Sequence, residues 1–481
     1  MVENERWNSP ISFILAMIGA SVGLGNIWRF SYVLYSNGGG SFFIPYLIAI
    51  VLLGIPFLIL EYGIGFSFKD SFTNIFKRIN PKYEFVSWII IMIIFMVGIY
   101  YVVIIAWDLA YLFSSFTFAW GNDPGSYFAN NIGGNSNLSK PLSFLIPTTL
   151  CVMVVWFLTW LISHKNLNDG IAKFSQIAIP ILFVIMFGIV IYAFTLPGAN
   201  LGIETLIKPN WNMLLNINVW IAAFSQILFS LSIGQAIVIT LSSYLPDNSR
   251  LTDNVLVVVL SNSLFEIFTA FGVFSILGYM SSTSGVPMTQ LISEGTGLVF
   301  IVFPQIFNVM GGVGHILAPL FFIVIFFAGM TSIIGMMEPV INSMLHKFKT
   351  SRKKTVAILC AIACLFSLTF TLNIGSHLIG IIDGFANSFC VLPFVAIQCI
   401  IFSWVYDIES LIPILNEHSR IKVGKTWVFI IKYVLPVVII VMWTMGISEI
   451  ILNAEMINLI AYSIITILLL VASAALYKIR T

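Results

Sequence analysis

The chain has 481 residues, of which 59% are hydrophobic and only 9% charged, with a mean hydropathy of +1.01. So little polar surface cannot solvate a globule of this size, which excludes a soluble protein. The formal charge of +2, without a basic cluster interleaved with aromatics, gives no footing for nucleic-acid binding.

Stretches of roughly 17 to 25 residues almost without charge recur along the chain, the length that crosses ~30 Å of hydrocarbon as helix. They predict twelve transmembrane helices, near 10–35, 41–68, 86–118, 142–163, 169–194, 216–243, 251–281, 315–346, 355–373, 376–406, 427–450 and 455–478. The first span is too long and too Gly-rich for a cleavable signal peptide, so we expect it to stay in place. Of the 22 Lys and Arg, Lys140 and Lys208 fall on one set of loops and Arg29, Lys173 and Lys432 within spans; the rest lie on the opposite side. Basic residues in short loops are retained inside. This predicts a multi-pass plasma-membrane protein with both termini cytoplasmic.

Two spans are interrupted. In the first, Gly19 to Asn26 brings three glycines, Ser21 and Asn26 to mid-span, and in the sixth Phe229 to Gln235 does so more mildly. Backbone groups freed in lipid are costly, so such breaks call for a reason. Small residues that let helices pack closely are one reason. The breaks lie five spans apart, however, as in a 5+5 inverted repeat with its binding site at the repeat interface. The expected architecture is therefore all-α and integral to the membrane, a single domain over 1–481. Repeat one covers about 10–194, repeat two about 216–406, and helices 11 and 12 (about 427–478) stand outside. Unwound carbonyls suit a cation, and half-helix N-termini suit a carboxylate.

The remaining chemistry-bearing residues add little. Cys151, Cys360, Cys364, Cys390 and Cys399 fall in apolar spans, and the Cys360/Cys364 pair lacks the His or carboxylate neighbours of a metal site. His164, His315, His346, His377 and His418 are scattered, and no H-E-x-x-H or G-x-S-x-G motif is present, so no enzyme is expected.

Trp7, Gly23-Leu-Gly-Asn-Ile-Trp-Arg-Phe30, Asn37-Gly-Gly-Gly40, Ile44-Pro-Tyr46, Tyr100-Tyr101, Trp220 to Gly234, Asn262, Phe327 to Ser332 and Asp383 follow one another along the whole chain. This series resembles the neurotransmitter:sodium symporter family, in particular its bacterial amino-acid carriers. The resemblance implies the leucine-transporter-like fold and sodium-coupled symport of a small, neutral or hydrophobic amino acid by alternating access in the lipid bilayer. A substrate-gated channel or a non-transporting amino-acid sensor of the same fold is the alternative.

One or two sodium ions are implied. The first would be caged by Ser21, Asn26, Ser230 and Asn262 with the substrate carboxylate. The second would take the carbonyls of Gly19, Val22 and Ala328 with the hydroxyls of Thr331 and Ser332, although hydroxyls in apolar helices commonly bond their own backbone. The implied substrate pocket comprises Ala20, Gly23, Leu24, Gly25, Val97, Tyr101, Phe229, Ser230, Ser232, Gln235, Ser332 and Met336. Leucine-carrying members have an aromatic residue in place of Gln235 and a β-branched one in place of Met336.

Arg29 and Asp383 match the family's extracellular gate pair; two side chains that each snorkel to headgroups are the other reading. At the cytoplasmic gate Asn4 and His346 replace the usual Arg and Asp, which leaves Arg6 and Glu338, beside the retained Tyr244, as candidates for a rewired gate, or a weaker gate. Gly170 and Pro180 match a motif at which span 5 can unwind, and the segment 284–313 would form an outer lid. Members that need chloride hold it with residues matching Tyr46, Gln226, Ser230 and the position of Glu266. A carboxylate there supplies the negative charge itself, so we expect chloride independence, with Glu266 taking a proton on the empty return step and so exporting it. A purely structural carboxylate, paired with Glu61, is the alternative.

Overall fold

The computed structural model describes residues 5–134, 141–292, 295–386, 391–453 and 456–479. Asn4, Lys140, Cys390 and Arg480 lie outside them. Among the described residues, nine unbroken helices are long and apolar enough to cross a membrane. They are α2 (Gly39–Phe68), α3 (Pro81–Ser115), α4 (Ile146–Ser163), α5 (Asn168–Phe194), α7 (Leu251–Ser284), α8 (Gly314–Phe348), α9 (Arg352–Thr371), α11 (Lys425–Ser448) and α12 (Met456–Lys478). Two of the three other expected spans are interrupted, and the third, α10, is described in two parts. α1 consists of Pro10–Ser21 followed by Leu24–Ile27 and Arg29–Ser36, and α6 of Ile217–Ser230 and Ile237–Ser243. α10 consists of Gly375–Phe385 and Leu392–Val405. The twelve-helix reading of the sequence therefore holds.

The breaks fall where the sequence loses helix formers. α1 starts cleanly, with Pro10 at its first position and the Ser9 hydroxyl accepting from Ile11 N–H at 3.2 Å. It stops at Ser21, where Val22 and Gly23 turn extended. In α6, Ser232, Gly234 and Ala236 all take left-handed backbone conformations, two of them without the freedom of glycine. Neighbours hold this strained loop. Gly234 N–H donates to the buried Glu61 of α2 at 3.2 Å, Gln398 of α10 donates to Gly234 C=O at 2.8 Å, and the Ser232 hydroxyl donates to Ala20 C=O at 3.0 Å. The last bond ties one break to the other.

The Asn37 to Gly40 turn shows its purpose in packing. Gly38 C=O accepts from Asn210 N–H at 3.1 Å, and a side chain at Gly40 would collide with the Ile207 carbonyl. Only bare backbone lets the outer helix Ala199–Ile207 dock there. The segment between α7 and α8 forms Met288–Leu291 and Leu298–Val309. Its Phe300 packs on Tyr111 of α3 at 5.1 Å, and Phe303 stacks on Phe321 of α8 at 4.4 Å. Outward, Ile457, Ile460, Ile464, Ile467, Leu468 and Val471 of α12 are exposed, a surface suited to lipid rather than water.

Candidate functional site

The two breaks bound a cavity of about 530 Å³. Every residue expected to line a substrate pocket lines it, from Ala20, Gly23, Leu24 and Gly25 of the first break to Phe229, Ser230, Ser232 and Gln235 of the second, with Val97 and Tyr101 from α3 and Ser332 and Met336 from α8. Gly23 decides what reaches the centre, since a Cβ there would lie 3.0 Å from the Ser332 hydroxyl and 3.3 Å from that of Tyr101. Without it both hydroxyls face the broken backbone. Nothing lies within 4 Å of a Cβ built at Gly25, so that backbone opens directly onto the cavity. The bare backbone of Gly23 and Gly25 and the Tyr101 and Ser332 hydroxyls thus gather together, while Val97, Ile104 and Met336 contribute apolar wall.

Beside this cavity three of the four residues of the first oxygen set, Asn26, Ser230 and Asn262, form one connected cluster. Asn26 Nδ2 donates to Asn262 Oδ1 at 2.9 Å, Asn262 Nδ2 donates to the Ser230 hydroxyl, and Asn26 Oδ1 accepts from Gly23 N–H at 2.9 Å. The Ser21 hydroxyl is buried with no hydrogen-bond partner among the described residues. An orphaned oxygen next to three amide and hydroxyl oxygens fits a hard cation.

Of the second oxygen set, Gly19, Ala328, Thr331 and Ser332 come together, with one difference. Thr331 donates to its own helix, to Phe327 C=O at 2.9 Å and Ala328 C=O at 3.1 Å, the common behaviour of a hydroxyl in an apolar helix. Ser332 reaches across to Gly19 C=O at 3.4 Å. A Cβ on Gly19 would sit 3.0 Å from Thr331 Cβ, so α1 and α8 touch here, with Ile179 of α5 closing the site.

Glu266 of α7 is fully buried and takes three donors: the Tyr46 hydroxyl, Gln226 Nε2 at 3.1 Å and Asn26 Nδ2 at 3.2 Å. It therefore shares Asn26 with the first oxygen set. Glu61, the suggested alternative partner of Glu266, is engaged instead with Gly234.

Arg29 and Asp383 both line the cavity. The Arg29 guanidinium lies 4.4 Å over the Phe229 ring, and Asp383 accepts from the Tyr100 hydroxyl at 2.7 Å. On the opposite side the expected pairing of Arg6 with Glu338 does not form. Glu338 is bound by Arg352 of α9, with Nη2 to Oε2 at 2.6 Å and Nη1 to Oε1 at 2.9 Å, and by the Tyr244 hydroxyl at 2.9 Å. Glu5 lies 3.6 Å from the same guanidinium. The turn after Phe348 folds Arg352 back along α8, whereas Arg6 points outward to Asp247 at 3.4 Å. Lys69, and Arg6 beside it, hold the Asp247 carboxyl below the usual carboxylate range. His346 lies 4.0 Å from Asp70.

The sequence profile of the sodium:neurotransmitter symporter family matches residues 4–140 and 123–477. The chain belongs to that family. It is 38% identical over 443 residues to an uncharacterized sodium-dependent transporter of Methanocaldococcus jannaschii, covering 91% of this chain and 89% of that protein. Against the sodium- and chloride-dependent GABA transporter 2 of Mus musculus it is 29% identical over 445 residues, 84% of this chain and 73% of the other. The crystal structure of MhsT in complex with L-phenylalanine matches with a TM-score of 0.79 at 28% identity, over 92% of this chain and 99% of that one. The protein is a sodium-coupled symporter of the membrane with the leucine-transporter-like fold.

Three residues important to this symporter escape the sequence reading: Gln398, Arg352 and Glu61 as a loop clamp. Gln398 carries a visible signal, since a polar amide inside an apolar span needs a partner. Arg352 carries none, being one of a basic run on the turn between α8 and α9.

Proposed function

We propose that this symporter carries a neutral amino acid with an apolar side chain into the cell together with one or two sodium ions, without chloride, and that it acts as a transporter and not as an enzyme. The observation that carries the reading is the cavity between the two breaks. Its polar end, formed by Gly23, Gly25 and the Tyr101 hydroxyl, suits a carboxylate. That end borders Ser21, Asn26, Ser230 and Asn262, so a bound carboxylate completes the oxygen cage of the first sodium and the two bind together. The apolar wall of Val97, Ile104 and Met336 suits an aliphatic or aromatic side chain, with Gln235 able to meet a polar group on it. The crystal structure of MhsT with L-phenylalanine supports an amino-acid substrate.

Glu266 stands where it can balance the charge of sodium and the substrate ammonium, and it takes up a proton for the empty return. Alternating access runs between the Arg29/Asp383 side and the Glu338/Arg352 side. The basic residues of the Arg352 side support a cytoplasmic location for it and for both termini of a plasma-membrane protein, with repeats over about 10–194 and 216–406. The test is a thermal-shift screen of the purified protein against the twenty amino acids with sodium or potassium. A bound ligand stabilises by RT ln(1 + [L]/Kd), so apolar amino acids should raise the melting temperature in sodium alone. Equal shifts in both salts would contradict the reading.

A further inference from the structure

The N-terminal segment before α1 has no regular secondary structure and bends at Asn8; it lies between the start of α5 and the end of α6, with backbone groups bonded to each. Toward α6, Trp7 N–H donates to Tyr244 C=O at 3.0 Å and Trp7 Nε1–H to Leu241 C=O at 2.9 Å. Toward α5 point Arg6 C=O and Asn8 N–H, and one side chain takes both. Asn168 Oδ1 accepts from Asn8 N–H at 3.0 Å, and Asn168 Nδ2 donates to Arg6 C=O at 2.8 Å. Its amide thus serves as a backbone peptide would. One residue earlier, Leu167 N–H donates to Glu5 Oε2 at 3.0 Å.

Asn168 opens α5, and the turn it opens is a π turn, Asn168–Ala172, with Ala172 N–H bonded to Leu167 C=O at 3.0 Å. Such turns are rare and often lie at functional sites. Further along α5, Ile179 covers Gly19 of the second oxygen set. Glu5 also faces Arg352, the partner of Glu338. The segment therefore touches both the inner charge network and the helix that covers an ion site.

We propose that Asn168 is a positioning residue of the transport cycle: its amide locks residues 5–8 to the π turn of α5, so that both leave the cytoplasmic face as one cooperative unit. The proposal rests on the alternating-access reading of the symporter, but its test is independent of uptake. Backbone hydrogen exchange is measured on the full-length protein in sodium and in potassium. In the native protein the amides of Trp7, Asn8, Leu167, Gly170 and Ala172 should share one opening equilibrium and one dependence on sodium. Asn168→Leu, of similar size without either hydrogen bond, should speed exchange in both stretches on the order of tenfold and leave α9 unchanged. Asn168→Asp, which keeps the acceptor for Asn8 and loses the donor to Arg6, should give a smaller effect on both.

Opening equilibria that differ between the two stretches in the native protein overturn the proposal, whatever the variants do. So does a variant that accelerates one stretch alone, or neither. If Asn168→Leu loosens α9 as well, the native comparison and Asn168→Asp decide.

Discussion

Replacing Glu266 by Ser removes a buried negative charge while leaving space and a hydroxyl in its place. Glu266 Oε2 lies 3.2 Å from Asn26 Nδ2, and the same amide offers its Oδ1 to the first oxygen set. An ion held by Asn26 Oδ1 would then stand roughly 6 Å from the carboxylate, taking about 2.4 Å for the ion–oxygen contact. At an effective dielectric of about 20 that separation corresponds to ~3 kcal/mol, or about a hundredfold in sodium affinity. The assay is amino-acid uptake into proteoliposomes as sodium is varied, with chloride present or replaced by gluconate. Native uptake should ignore chloride. The Ser variant should lose about two orders of magnitude in sodium affinity in gluconate and regain much of it in chloride, which can occupy the vacated place beside Tyr46 and Gln226. A Ser variant that stays active in gluconate, or native uptake that falls with chloride, refutes the charge-balance argument.

Arg352→Leu leaves Glu338 buried without its cation, which costs about 3–5 kcal/mol; the melting temperature should fall and the Glu338 side of the protein become more accessible to thiol or amine reagents. Gly23→Ala puts a methyl 3.0 Å from the Ser332 hydroxyl and 3.3 Å from that of Tyr101, an overpacking of about 1–3 kcal/mol that should appear as weaker substrate binding in the thermal-shift titration. Gln235→Phe fills part of the cavity with an apolar ring, so competition profiles should move toward smaller aliphatic amino acids; an unchanged profile would mean that Gln235 does not face the substrate. Gln398→Leu strips Gly234 C=O of its donor, a loss of about 1–3 kcal/mol, and denaturation should show it.

The helices were legible because hydrocarbon imposes a length, and the breaks because glycines and small polar residues gather at mid-span in two spans that lie five apart. The cavity residues could be named because the resemblance runs through both breaks in order. What escaped were partners chosen across the bundle. Nothing near Glu338 in the chain distinguishes Arg352 from Arg6; the fold of the turn after Phe348 does. Gln398 lies 164 residues from Gly234, and only the packing of α10 against the second break brings them together. The π turn at Asn168 was likewise invisible, since one extra residue in a helical turn leaves no compositional trace. Within the segment 284–313, expected as an outer lid, the helices Met288–Leu291 and Leu298–Val309 form, and their aromatic seating on α3 and α8 leaves no local signal in the sequence.

The central claim is that sodium and a neutral amino acid occupy one composite site and move together. Purified protein in sealed proteoliposomes, given an inward sodium gradient and a labelled apolar amino acid identified by thermal shift, should accumulate it above the external concentration. Accumulation should vanish when potassium replaces sodium or an ionophore collapses the gradient. Substrate should tighten sodium binding by the same factor that sodium tightens substrate, because coupling between two bound ligands is reciprocal. Uptake that persists undiminished in potassium, or that only equilibrates across the membrane with the gradient intact, would contradict the account.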